Sequence, residues 1–289
     1  MRFAMKRYLY WVVCMVLLAG CGNRRPADVP TLTVTIEPLR YFTEAIAGPR
    51  YRVVSMVPEG SSPETYDPTP QQLVRLAQSA AYLQVGYIGF EQSWVKKLKA
   101  NNPDLPFFDT SRGIDLIREE VAHHGHTHAG GVEPHIWNSP ENVLRMADNI
   151  CAALCRLDTL HAEEYRERTD SLQRMVRQTD QSIRALLPAT GGSFLIYHPA
   201  LSYFARDYGW RQVSIEENGK EPSPSQLQAL IRLCREQKIR VIFVQQEFDV
   251  RNAQLIAREL GLAVIPINPL SYHWQEEMLN VARSLTLVP

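Results

Sequence analysis

Surplus charge of either sign is missing from this chain. Its 289 residues carry 31 Lys and Arg against 31 Asp and Glu, a formal charge of zero. Proteins that grip a phosphate backbone concentrate surplus Lys and Arg on one face, so nothing here calls for a nucleic-acid partner. Cysteine is scarce, with five residues and no metal-ligand spacing among them. Cys151 and Cys155 stand four apart in a helical pattern and Cys234 lies far along the chain, an odd set better suited to small apolar packing than to a disulfide. Glycine-rich phosphate or dinucleotide loops, a Gly-x-Ser-x-Gly elbow and a His-Glu-x-x-His helix are all absent, so the chain displays no catalytic apparatus. What it does have is 45% hydrophobic and 21% charged residues. That excludes disorder, collagen and coiled coil, and supplies enough apolar material for one large or two ordinary domains.

Long apolar runs are confined to the amino end. Arg2, Lys6 and Arg7 precede an uncharged run from Tyr8 to Gly20 that is too short to span a bilayer comfortably. Residues 1–20 are therefore expected to be a signal peptide. The run closes on Leu18-Ala19-Gly20-Cys21, which resembles the bacterial lipobox and implies lipidation of Cys21 as the new amino terminus, with the body tethered to a membrane. Removing the leader discards three cations, leaving 28 basic against 31 acidic groups, a mature charge of −3. Residues 21–30 lack periodicity and read as a linker.

From Thr31 the pattern alternates. Thr31–Ile36, Tyr51–Val57, Ala81–Val85 and Leu105–Phe108 are strand-like, and Arg40–Ala47, Pro70–Ala80 and Phe90–Asn101 have helical spacing. The second half repeats the theme, with strands at Ser193–Tyr197, Gln212–Ile215, Ile239–Val244 and Ala263–Ile267 separated by helices over 201–208, 225–237 and 250–260. The fold class is α/β: two lobes, each a parallel sheet flanked by helices, over 31–157 and 191–289. Residues 158–190 join them. Within this stretch His161–Leu187 has no Gly or Pro, and Tyr165, Leu172, Met175, Val176, Ile183, Leu186 and Leu187 recur at helical spacing, which predicts a rigid strut on the order of 40 Å long.

Ligand sites in open α/β sheets form beyond the carboxyl ends of strands, which directs attention to four segments. Glu64 lies in Pro58–Pro70, a loop whose prolines can hold one carboxylate in place as readily as they can shape a solvated turn. His135, in Glu133-Pro134-His135-Ile136-Trp137, suits either a neutral imidazole ligand or a satisfied core histidine. His198 directly follows a strand, which favours the ligand reading. Asn268 ends the last strand, where Asn is also a common turn residue. Separately, His123, His124, His126 and His128 place four of the eight histidines in one glycine-flanked loop, a composition that binds borderline divalent metals loosely.

Together these segments resemble the metal-specific solute-binding proteins of bacterial ABC importers, the zinc and manganese class. The likeness runs through Gly60–Pro70, Gly89-Phe90-Glu91 with Trp94, the His-rich loop, Glu133–Pro140, His198–Gly209, Glu221–Pro224 and Asn268-Pro269-Leu270. It implies two α/β lobes on a long rigid helix with metal in the cleft, and it places His135 and His198 on two ligand positions. This chain departs from the usual pattern at two others, having Glu64 in place of His and Asn268 in place of Asp. The resemblance then implies Zn²⁺ held by Glu64, His135 and His198, with water or the weaker Asn268 amide as fourth donor, and Mn²⁺ as the alternative ion. It also implies a monomer of the cell envelope facing the periplasm or exterior, which hands its ion to an ABC permease and its ATPase. A lipid-anchored zinc hydrolase and an adhesin with a structural metal are the competing classes.

Overall fold

The structure, a computed structural model, describes residues 29–118, 131–216, 222–248 and 251–286. Cys21, His123, His124, His126 and His128 lie outside the described residues. The first sheet comprises β1 (Thr31–Val34), β2 (Arg52–Ser55), β3 (Ala81–Gln84) and β4 (Phe107–Asp109) in the order β2-β1-β3-β4, all parallel. Helices α1 (Glu37–Ala47), α2 (Pro70–Ala77) and α3 (Gly89–Asn101) make its crossovers. The second sheet, β5 (Gly192–Ile196), β6 (Trp210–Ser214), β7 (Val241–Gln245) and β8 (Ala263–Ile267), has the matching order β6-β5-β7-β8 and is also all parallel. Its helices are α6 (Ser202–Tyr208), α7 (Pro224–Glu236) and α8 (Arg251–Leu260). Pro266 falls on β8, an edge strand, where a missing N–H breaks no ladder on the open side.

Central strands β5 and β7 are buried on both faces, and the pleat sends alternate residues to different cores. Phe194, Ile196, Val241 and Phe243 join the large core that also holds the first sheet, whereas Leu195, Tyr197, Ile242 and Val244 join a smaller core beneath α7 and α8.

Between the sheets run α4 (Pro140–Leu157) and α5 (Ala162–Leu186). The 25 residues of α5 would span about 37 Å at the helical rise. Its buried positions, Tyr165, Thr169, Leu172, Val176, Thr179 and Ile183, recur every three or four residues as one stripe. Leu186, expected on that stripe, is instead exposed at the last turn. Helices α1, α4 and the carboxy-terminal α9 (Trp274–Thr286) all pack on α5. Helix α9 had no counterpart in the sequence pattern. It anchors through aromatic contacts, Trp274 edge-on to Phe42 of α1 and Tyr272 just before it edge-on to Tyr41. Cys151, Cys155 and Cys234 are free thiols. Among the described residues no helix is long and apolar enough to cross a membrane.

Candidate metal centre

Glu64 sits between β2 and α2 on a loop tied down at several points. Proline restricts the backbone of its own and the preceding residue, which lowers the ordering cost before any contact forms. The Phe90 amide donates to the Pro63 carbonyl at 2.9 Å, and the Trp94 indole donates to Asp67 at 3.0 Å. Downstream, Thr69 and Gln72 form a capping box at the start of α2. Gln72 also reaches back to the Met56 carbonyl at 2.7 Å, closing the loop on its own strand. The Gly89 amide donates to Oε2 of Glu64 at 3.2 Å. Glycine is needed at 89 because a Cβ there would stand 2.5 Å from the Glu64 carbonyl oxygen and 2.7 Å from Oε2. The turn before α3 is fixed in turn by Glu91, whose carboxylate accepts from the amides of Val85 at 2.7 Å and Gly86 at 2.5 Å and from the Thr35 hydroxyl. Burial pushes the Glu91 carboxyl up to about 7 against these stabilising bonds.

His135 precedes the short 3₁₀ turn Ile136–Asn138. That turn is stitched to the second half of the chain: the Trp137 indole donates to the Pro269 carbonyl at 2.7 Å, and the Asn138 amide to the Ala200 carbonyl at 2.9 Å. The Trp274 indole donates to the Trp137 carbonyl at 2.7 Å. The ring itself is oriented by Glu133, whose Oε1 takes the Nδ1 hydrogen bond at 2.5 Å and the His135 backbone amide at 3.0 Å. Glu133 is held from across the molecule, by the Ser202 hydroxyl on its Oε2 at 2.9 Å and the Tyr203 hydroxyl on its carbonyl at 2.8 Å. Burial drives the His135 imidazole below its ordinary value, with Glu133 opposing and His198 reinforcing the shift.

His198 follows β5 at its carboxyl end. Gln245, the last residue of β7, clamps its backbone on both sides, accepting from the His198 amide at 3.3 Å and donating to its carbonyl at 2.7 Å. Its Nδ1 bonds Oε2 of Glu216 at 2.9 Å, and Phe248 stacks on its ring at 4.8 Å between centroids and 16° between planes. A carboxylate only accepts, so each Nδ1 carries a proton, the tautomer that in a neutral imidazole leaves the lone pair on Nε2. The two Nε2 atoms lie 3.3 Å apart. A tetrahedral zinc ion at its usual distance of about 2.0–2.1 Å from nitrogen holds two imidazole donors about 3.3 Å apart, which is the separation of these two atoms.

One potential ligand atom each from Glu64, His135 and His198 lies within 4.8 Å of the others. These side chains, with Trp137, Gln245, Phe248, Pro269 and Leu270, line one cavity of about 20 Å³. That is room for a single water or ion. Oε1 of Glu64 is shielded from solvent and has no hydrogen-bond partner. Asn268 is placed differently: its amide oxygen accepts from the Leu270 amide at 3.1 Å, and its residue is not part of the cavity wall. The turn that follows β8 thus employs the amide that the family pattern offered as a fourth donor. Sequence reading missed Glu133 and Glu216 as orienting carboxylates. Glu133 was visible two residues before His135, but Glu216 depends on β6 lying beside β5.

Two lobes on a long helix, with imidazoles and a carboxylate converging between their sheets, define a metal-binding solute receptor. A sequence profile of the family described as zinc-uptake complex component A, periplasmic, matches residues 32–285, and the chain belongs to that family. These are uptake components of ABC importers and not enzymes, which removes the hydrolase alternative. The chain is similar to the high-affinity zinc uptake system protein ZnuA of Bacillus subtilis, 26% identical over 91% of this chain and 88% of that one. It is 28% identical to the iron-binding protein YfeA of Yersinia pestis over 86% of this chain and 80% of that one. Among solved structures, a ZnuA crystal structure superposes with a TM-score of 0.83 at 34% identity, covering 90% of this chain and 98% of that one. A laminin-binding adhesin of Streptococcus agalactiae shares the fold at 21% identity, with a TM-score of 0.77 and coverage of 88% and 98%.

Proposed function

We propose that this protein captures Zn²⁺ between Glu64, His135 and His198 and delivers it to a membrane ABC permease driven by its ATPase. In this reading the lobe over 31–157 presents Glu64 and His135, the lobe over 191–289 presents His198, and residues 158–190 hold them at fixed spacing. The observation that carries it is the pair of Nε2 atoms 3.3 Å apart, each ring set by a carboxylate on its other nitrogen. Carboxylate–histidine–metal triads are the usual way to fix imidazole tautomer and raise its basicity toward zinc. Two imidazoles argue against Mg²⁺ or Ca²⁺. The named relatives support metal uptake: ZnuA of Bacillus subtilis is a zinc uptake protein, and a ZnuA deletion mutant of 34% identity was solved with zinc bound. A fold neighbour at 23% identity, FpvC of Pseudomonas aeruginosa, was solved with Mn²⁺, so manganese is the ion to compete against zinc.

Residues 1–20 act as the leader, lipidated Cys21 tethers the mature monomer to the cell envelope, and the linker over 21–30 gives the body reach. His123, His124, His126 and His128 raise the local ion concentration without forming the tight site.

Competition titration against a chromophoric chelator tests this reading. One Zn²⁺ binds tightly, and affinity holds at neutral pH and weakens below about 6.5, because imidazole must lose its proton to ligate. Since burial opposes protonation of His135, its own share of the loss sets in below its ordinary value. Flat affinity down to about pH 5 contradicts His ligation. Removing the ion with a chelator leaves a folded receptor, whereas a structural metal would take the fold with it.

A further inference from the structure

Six buried side-chain polar atoms lack hydrogen-bond partners among the described residues, and the only carboxylate oxygens in that set are Oε1 of Glu64 and Oε1 of Glu247. Both residues line the same cavity of about 20 Å³. An anionic oxygen shut off from water and from donors is costly, and two facing one small space repel each other unless a cation joins them. Neutral hydroxyl or amide atoms can be left over in a fold at modest cost, but this coincidence of two carboxylates points to a charge that belongs between them.

We propose that Glu247, on the turn directly after β7, is a fourth protein donor to the ion, recruited when Glu64, His135 and His198 bind it. This rests on the reading of the site given above and adds to it a residue the sequence did not single out. Two other side chains with an amide oxygen are less well placed. Gln245 holds the His198 backbone with both its oxygen and its nitrogen, and Asn268, whose oxygen accepts from the Leu270 amide, is not among the residues lining this cavity. Glu247 has the right attachment, since Phe248 next to it stacks on the His198 ring and registers this turn to a ligand. It stands outside the trio whose donor atoms lie within 4.8 Å of one another, so its carboxylate swings inward on binding. A glutamate has the rotatable bonds to do so while its backbone stays in place. The completed shell has two imidazoles and two carboxylates, which cancel the charge of a divalent cation and leave none for a monovalent one to exploit.

The test is a Zn²⁺ competition titration of the full chain carrying Glu247→Gln, run beside His135→Ala and paired with thermal melting of the metal-free proteins. Glu247→Gln keeps shape and removes charge. The proposal predicts an affinity loss of about tenfold or more, together with a metal-free melting midpoint no lower than the parent's, because the buried Oε1 of Glu247 has no hydrogen bond to lose. Affinity within about twofold of the parent, while His135→Ala abolishes binding, overturns the role of Glu247 and leaves the three-donor site standing. An affinity loss accompanied by a lower metal-free midpoint also overturns it, since Glu247 would then support structure. If His135→Ala also binds normally, the underlying site is wrong and Glu247 falls with it.

Discussion

The two halves of the proposed metal centre are built differently. His198 stands at the end of a central strand, with its backbone clamped by the neighbouring strand's Gln245 and its ring set by Glu216 after the strand on the other side. One sheet supplies these supports. Glu64 and His135 sit on irregular segments, and their supports come from far away in the chain: Gly89 under Glu64, Ser202 and Tyr203 behind Glu133, and Pro269 and Trp274 around Trp137. A strand-end donor inherits its precision from topology. A loop donor requires bracing, and here much of the brace is the other half of the molecule.

The largest effect expected is common to both halves. His135→Ala and His198→Ala each remove a direct donor and should lower Zn²⁺ affinity beyond the about 10–100-fold typical of supporting groups. Unequal losses, with one variant near the parent in a chelator titration, would break the pairing of the two rings.

The orienting carboxylates sharpen the contrast. Glu133→Gln and Glu216→Gln should each cost about 10–100-fold in affinity, with Glu133→Gln the larger because it also loosens a tie to Ser202. Since Glu133 holds the His135 value up against burial, its removal should also move proton competition at that ring to lower pH. A titration series across pH reads both.

Gly89→Ala comes next. The added methyl collides with Glu64 and displaces its carboxylate, while both imidazoles stay. Affinity should fall by about tenfold.

The smallest effect concerns the brace alone. Glu91 keeps its proton in the fold up to about 7 but releases it near 4.5 when unfolded. A raised folded value means its contribution is complete below 4.5 and is lost as pH rises to about 7. The metal-free melting midpoint of the parent should therefore fall across that window relative to Glu91→Gln, by a few degrees at about 2–4 °C per kcal/mol for a chain of this size. Parallel curves for the two proteins would show that the Glu91 carboxyl titrates as it does in water.

The same contrast explains what was legible in the amino-acid sequence. The α5 stripe announces itself by period, because its packing repeats, and Ala263–Ile267 by its short apolar run. His198 was marked as a candidate donor by its position after an apolar strand. Glu64 and His135 were ambiguous as residues and gained meaning only from the family pattern, since Gly89 beneath Glu64 and the groups that hold Glu133 behind His135 lie tens of residues away. At Asn268 the pattern offered a weaker donor, and there the amide oxygen accepts from the Leu270 amide of its own turn. Glu216 was invisible because nothing local says that β6 pairs with β5, and α9 was missed because its apolar face is completed by α1 and α5. Packing across the chain, more than local propensity, set these outcomes.

The most direct test of the whole account is a zinc-edge X-ray absorption spectrum of the protein loaded with one equivalent of Zn²⁺, compared with His135→Ala and His198→Ala. The account predicts a four-coordinate nitrogen and oxygen shell with two imidazole scattering paths, falling to one in either variant. A first shell unchanged by both substitutions would place the ion elsewhere and contradict the claim that the two lobes share it.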